Sequence, residues 1–144
     1  WVDKSEENEY TLLVLVFNRI EGIGWEPVDE SKLAEYFIYI NNIRDNVWVA
    51  IFKDVTKYVR QRMNAEIETI ERNNWEIIVN VTHNLGELYD LPLTLKTYIP
   101  QDWEAVIVYQ GEHQIDASIE QDITGKFVSY QAESNFQPLV INRD

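Results

Sequence analysis

Cysteine is absent from the 144 residues, which removes disulfide scaffolds, thiol catalysis and zinc knuckles together. Histidine is nearly absent: His83 and His113 are the two present, and neither belongs to an HxxxH or HExxH pattern. A tetrahedral zinc centre needs three or four protein ligands, so both histidines read as surface or turn residues. Cations are scarce, with Lys+Arg 12 against Asp+Glu 25 and a formal net charge of -13. A chain that acidic repels phosphate backbones, which excludes nucleic-acid binding through a basic footprint. No apolar run approaches the roughly 20 residues of a membrane-spanning helix. The longest, Leu12-Leu13-Val14-Leu15-Val16-Phe17, has the length of a strand. A closed (β/α) barrel, which takes about 250 residues, does not fit in this length.

What is present is globular: 45% of the residues are hydrophobic, and aromatics make up 12% of the chain. The chain begins at Trp1 with no signal-peptide pattern, so it is expected to be a piece of something longer. Charge is uneven along it. Residues 1–65 carry 11 acidic and 8 basic side chains, whereas residues 66–144 carry 14 and 4. The hydrophobic period changes at the same place, which predicts a boundary near Ala65 and two domains, 1–65 and 66–144.

The first domain reads as strand, helix, strand, helix. Leu12–Phe17 and Val47–Ile51 are continuous apolar runs, which suit strands covered on both faces. Between them Asp29 or Ser31 can cap a helix with Leu33, Phe37, Ile40 and Ile43 at helical spacing. A second helix is predicted from Asp54 to Met63, with Val55, Tyr58, Val59 and Met63 on one side. Strands alternating with helices imply a parallel sheet, and two strands cannot complete one. Residues 12–17 and 47–51 are therefore expected to be buried against a companion, either a missing N-terminal barrel portion or a self-association partner.

The second domain changes to a period of two. Trp75-Ile77-Val79-Val81, Leu93-Leu95-Thr97-Ile99, Ala105-Ile107-Tyr109 and Ile115-Ala117-Ile119 each alternate with the residues between them. Phe127–Tyr130 and Leu139–Ile141 continue the series, and Asn84, Gly86, Pro92, Pro100, Gly111, Gly125 and Pro138 punctuate it. Short alternating runs at this spacing predict an all-β antiparallel sandwich.

Few constellations carry chemistry. Glu21, Glu26, Asp29 and Glu30 gather in the loop after the first apolar run, where the bland reading is a solvated loop with a helix-capping acid. Asp116, Glu120 and Asp122 could bind calcium but lack the alternating-acid and glycine pattern of a calcium loop. Asn80-Val81-Thr82 is a glycosylation sequon that matters only in a eukaryotic secreted chain. The tryptophans are Trp1, Trp25, Trp48, Trp75 and Trp103. Aromatic faces on a β-sandwich permit carbohydrate recognition, although core packing is their commoner use. Trp48 and Trp75, inside apolar runs, are expected in the core. Trp25 and Trp103 are the candidates for stacking on a sugar, and the negative charge favours neutral or cationic polysaccharides as partners.

The stretch Leu12–Pro27, an apolar strand followed by Asn18-Arg19-Ile20-Glu21-Gly22-Ile23-Gly24-Trp25, resembles the last catalytic strand and loop of polysaccharide deacetylases of the NodB-homology type (carbohydrate esterase family four). Asp45-Asn46-Val47-Trp48-Val49-Ala50 resembles the following D-x-V/I-W-V-A/G strand of that family. Phe52-x-Asp54-Val55-x-Lys57-Tyr58-Val59-Arg60-Gln61-Arg62 resembles its closing helix. The resemblance covers residues 12–62. Pro92–Trp103 is similar to the β-rich tail that follows the barrel in some members. It implies that 1–65 is the end of a distorted (β/α) barrel and 66–144 an accessory sandwich. The implied activity is metal-dependent removal of acetyl groups from a polysaccharide or amino sugar. A complete member holds zinc or another divalent metal through one Asp and two His. No such motif occurs in this chain, so no cofactor is expected in it. By the resemblance, Val16 lines the acetyl pocket and Trp25 belongs to the substrate loop. Asn18 stands at the place of the catalytic acid His, and an amide supplies no proton at neutral pH. The chain alone is expected to be inert, and its setting secreted or cell-envelope rather than cytoplasmic.

Overall fold

A computed structural model describes residues 2–3 and 11–144, so Trp1 lies outside the described residues. The chain divides into two compact units, Trp1–Phe52 and Lys53–Asp144.

In the first unit, helix α1 spans Glu30–Asn42. Asp29 caps it, accepting from the Ser31 and Lys32 amides at 2.9 and 3.2 Å, and Glu21 accepts from the Glu30 amide at 2.9 Å. These acids satisfy amide donors that the helix itself leaves open. The Ser31 hydroxyl bond holds the Asp29 carboxyl below the usual carboxylate range, and the Lys32 amide adds to the effect. Two of the four clustered loop acids are thus explained by helix capping. Leu33 and Ile40, two turns apart, are the buried residues of α1, and Val2 is also buried. Tyr39 donates a hydrogen bond to the Asp3 carboxylate.

The apolar runs 12–17 and 47–51, expected as strands, carry no ladder among the described residues. A strand is defined by a neighbouring strand that takes up its amides and carbonyls, and no such ladder is formed by either run among the described residues. Nearby, Ile20 and Val28 form a parallel bridge. Burial alternates from Leu12 to Val16, with Leu13 and Leu15 half-buried and Leu12, Val14 and Val16 exposed, and the alternation ends at Phe17, which is 40% exposed. Trp48, expected in the core, is 58% exposed, and Val49 and Ile51 beside it are exposed as well.

The second unit opens with helix α2, Phe52–Asn64. Eight strands follow: β1 Glu66–Arg72, β2 Glu76–Thr82, β3 Leu93–Tyr98, β4 Val106–Gln110, β5 His113–Ile115, β6 Ala117–Gln121, β7 Lys126–Ala132 and β8 Leu139–Arg143. They form two antiparallel sheets, β1-β2-β8-β4-β5 and β3-β7-β6. Ile77, Val79, Val81, Val108, Leu139 and Ile141 from one sheet meet Leu93, Leu95, Val128, Tyr130 and Ala132 from the other in one core. This is sheet-on-sheet packing, with inward and outward residues alternating along β2. Each such aliphatic side chain contributes roughly 1.5–3 kcal/mol by leaving water.

Three features differ from the expectation. The Ile115-Ala117-Ile119 run is two strands, because the chain leaves one sheet at Ile115 and enters the other at Ala117, with Asp116 at the corner. Edge strand β1 has no clean alternation, since a bulge between Thr69 and Glu71 puts Ile67 and Ile70 out of phase. Helix α2, which the sequence period grouped with the first part, is fastened to the sheets instead. It packs through Tyr58 and Gln61, while Val59 and Met63 of the expected apolar side are exposed.

Candidate functional site

The residues singled out in the first unit do not converge on a cavity. Leu15, Phe17, Val28, Lys32, Leu33 and Tyr36 enclose about 290 Å³ between the first apolar run and α1. Val16 and Asn18 have the opposite parity, and Val16 is 79% exposed. Trp25 is 75% exposed in its loop. Arg19 holds that loop, donating from its guanidinium to the Ile23 carbonyl at 2.5 Å and packing against Gly22 and Gly24.

Two tryptophan assignments are reversed. Trp103, a stacking candidate by sequence, is wholly buried, and its indole Nε1 has no hydrogen-bond partner among the described residues. A short turn places it there, with its amide donating to the Pro100 carbonyl at 3.1 Å. Trp75, expected in the core, is 70% exposed because it belongs to the β1–β2 turn rather than to β2. Asn73 Oδ1 accepts from the Trp75 and Glu76 amides at 2.8 Å each, and the Arg143 guanidinium lies over the indole ring at 5.6 Å.

Two of the three acids considered for calcium serve other ends. Glu120 accepts from the Ser118 hydroxyl at 2.9 Å. Asp122 sits in the β6–β7 turn, where Oδ1 accepts from the Thr124 and Gly125 amides at 2.8 and 3.0 Å. Its Oδ2 pairs with Lys96 and accepts from the Tyr98 hydroxyl. The Lys96 bond, chiefly, holds the Asp122 carboxyl far below the usual carboxylate range. Among the described residues no three His, Cys, Asp or Glu side chains gather as metal ligands. Nor does His83 offer itself: Nε2 donates to the Tyr89 carbonyl at 3.1 Å, and Nδ1 accepts from the Leu85 amide and the Asn135 side chain. These residues do not fit the one-Asp, two-His zinc set of a deacetylase. The sequon residue Asn80 lies within β2, paired opposite Glu68.

A site that sequence reasoning missed lies in the second unit. Pro92, Gln110, His113, Ile115, Gln131, Glu133 and Phe136 line a surface cavity of about 330 Å³ with a mainly apolar wall. Its rim is the loop between β7 and β8, residues 133–138. The two buried polar side chains among the described residues, Gln61 and Gln110, both bond to this loop. Gln110 Nε2 donates to the Glu133 and Gln137 carbonyls at 2.8 and 3.0 Å, and its Oε1 accepts from the Glu133 amide at 3.0 Å. Gln61 Nε2 reaches the Ser134 hydroxyl at 3.3 Å. On the other side Asn135, at φ +58, donates its amide to the Val81 carbonyl and accepts from the His83 amide at 2.8 Å. A fully satisfied network of this kind rigidifies what it holds. Phe136 is nevertheless 49% exposed. The turn signal at Pro138 marked a loop, but nothing in the sequence around it announced that buried glutamines would fasten it.

No family model matches the chain, and no solved structure matches it. It is similar to a gellan lyase from Bacillus sp, 29% identical over 85 residues. The matched segment covers 58% of this chain and 3% of the lyase, so the chain spans a small fraction of that protein's length.

Proposed function

We propose that this chain is the C-terminal part of a polysaccharide-active protein, in which the first unit completes a deacetylase-like barrel and the second is an accessory β-sandwich. The observation that carries the reading is the parity of residues 12–18. In a (β/α) barrel, strand side chains alternate between the helix layer and the barrel interior. Here Leu15 and Phe17 line the cavity against α1, Phe17 while still 40% exposed, and Val14 and Val16 are exposed with the opposite parity and Asn18 in phase. That opposite parity is the one the resemblance assigns to the acetyl pocket and the acid position. The likeness to a segment of a much longer polysaccharide lyase supports a polysaccharide setting for the chain.

In this reading residues 1–144 have no turnover of their own, and Asn18 orients substrate rather than protonating it. The test compares the purified chain with the natural protein, using acetate release from acetylated chitooligosaccharides with zinc added. The expected result is a natural protein heavier than 17.0 kDa that releases acetate, and a 144-residue chain that releases none. Zinc-dependent release by the 144-residue chain alone would overturn the reading.

A further inference from the structure

We propose that the cavity beneath the β7–β8 loop binds a sugar residue carrying a free amine, a hexosamine of a cationic oligosaccharide. The ligand class rests on the polysaccharide setting proposed above; the cavity and its rigid rim do not. At about 330 Å³ the space suits one sugar ring, at the small end of ligand pockets. Pro92, Ile115 and the half-exposed Phe136 supply an apolar wall for the C–H face of a pyranose. Gln131, whose amide also donates to the Thr94 hydroxyl at 3.1 Å, supplies a carbonyl oxygen for hydroxyls.

Charge chooses between sugars. Glu133 lines the cavity, and its carboxylate makes no hydrogen bond or ion pair among the described residues. The whole chain carries -13, so an acidic sugar would meet repulsion at every range. An ammonium group would give Glu133 a charge-assisted bond. Pre-organisation removes much of the ordering cost that a free loop would add. Glu133, Ser134, Asn135 and Gln137 are each fixed by a bond to another element, so Phe136 and Glu133 are presented at a set position.

The experiment titrates the full 144-residue chain, labelled with ¹⁵N, with three probes: a glucosamine tetramer, cellotetraose and a tetragalacturonate. The expected result is saturable shifts at His113, Gln131, Glu133 and Phe136 with the glucosamine tetramer, bound about tenfold or more tighter than cellotetraose. Glu133→Gln should abolish that preference while keeping the backbone bonds to Gln110. Phe136→Ala, on an exposed loop position, should weaken both probes about tenfold with an unchanged melting temperature. No saturable shift with the glucosamine tetramer, equal affinity for the amine-bearing and neutral tetramers, or shifts confined to other residues would overturn the proposal. Such a failure touches the second unit alone and leaves the acetate-release test of the first unit standing.

Discussion

Gln61 and the backbone of Leu91 bond in both directions: Nε2 donates to the Leu91 carbonyl at 2.8 Å, and Oε1 accepts from its amide at 3.2 Å. The side chain is only 1% exposed and lies 30 residues from its partner in sequence. Lys57 pairs with Asp90 at 3.0 Å beside it, and that bond, chiefly, draws the Asp90 carboxyl below its ordinary range. This is how a helix that looks like the close of an α/β domain comes to belong to a β-sandwich.

Replacing Gln61 by Leu keeps the volume but orphans a donor and an acceptor. Each unsatisfied group costs about 1–3 kcal/mol, so Gln61→Leu should lower unfolding stability by about 2–4 kcal/mol. Val59→Ala, on the exposed side of the same helix, should stay within about 0.5 kcal/mol. Urea denaturation followed by circular dichroism checks the pair; equal losses at both positions would contradict the assignment.

Trp103 and Trp25 should separate cleanly. Trp103→Ala empties a fully buried site and should cost about 3–5 kcal/mol, seen as a large fall in urea midpoint. Trp25→Ala, in an exposed loop, should leave stability within about 0.5 kcal/mol. The same pair is informative by fluorescence, since loss of Trp103 removes a buried, blue-shifted emitter.

Asp122 gives the fold an acid sensitivity with a definite sign. Its folded carboxyl ionises well below the unfolded one, because Lys96 and two turn amides favour the anion. The stability it contributes is therefore present above the ordinary carboxylate range and is lost as pH falls through and below that range. Urea midpoints should drop more between pH 5 and pH 3 for the native chain than for Asp122→Asn. A variant with the same acid slope would contradict the role given to this turn.

Gly111 sits at φ +63 in the two-residue β4–β5 turn, and a Cβ there would come within 2.5 Å of Gln137 Oε1. Gly111→Ala should therefore lower the melting temperature and perturb ¹⁵N shifts of residues 133–137, the loop held by Gln110. Gly86→Ala, which meets nothing within 4 Å, is the matched control and should leave those shifts in place.

The sandwich was legible where burial follows the backbone period. Ile77, Val79 and Val81 alternate with half-exposed neighbours, as do Leu93 and Leu95. It was not legible at Asp116, because a strand that changes sheets keeps its alternation while changing its partners. Strand β1 escaped notice because the bulge near Ile70 spaces its isoleucines as a helix would. Helix α1 and its Asp29 cap were readable locally, since a cap is a contact over three residues. The cavity was hidden for the opposite reason. Glutamine at 61 and 110 reads as a solvent-facing residue, and only the folded chain reveals that both are buried against one loop.

The two apolar runs remain the pivot. Fully covered, each aliphatic side chain at 12–17 and 47–51 would gain roughly 1.5–3 kcal/mol, yet most are exposed here. Hydrogen exchange on the 144-residue chain, alone and within the longer natural protein, addresses this most directly. Amides 12–17 and 47–51 should exchange rapidly in the isolated chain, while 77–81 of β2 are strongly protected, and should become protected in the longer protein. Protection of 12–17 and 47–51 equal to that of β2 in the isolated monomeric chain would contradict a barrel completed from outside it.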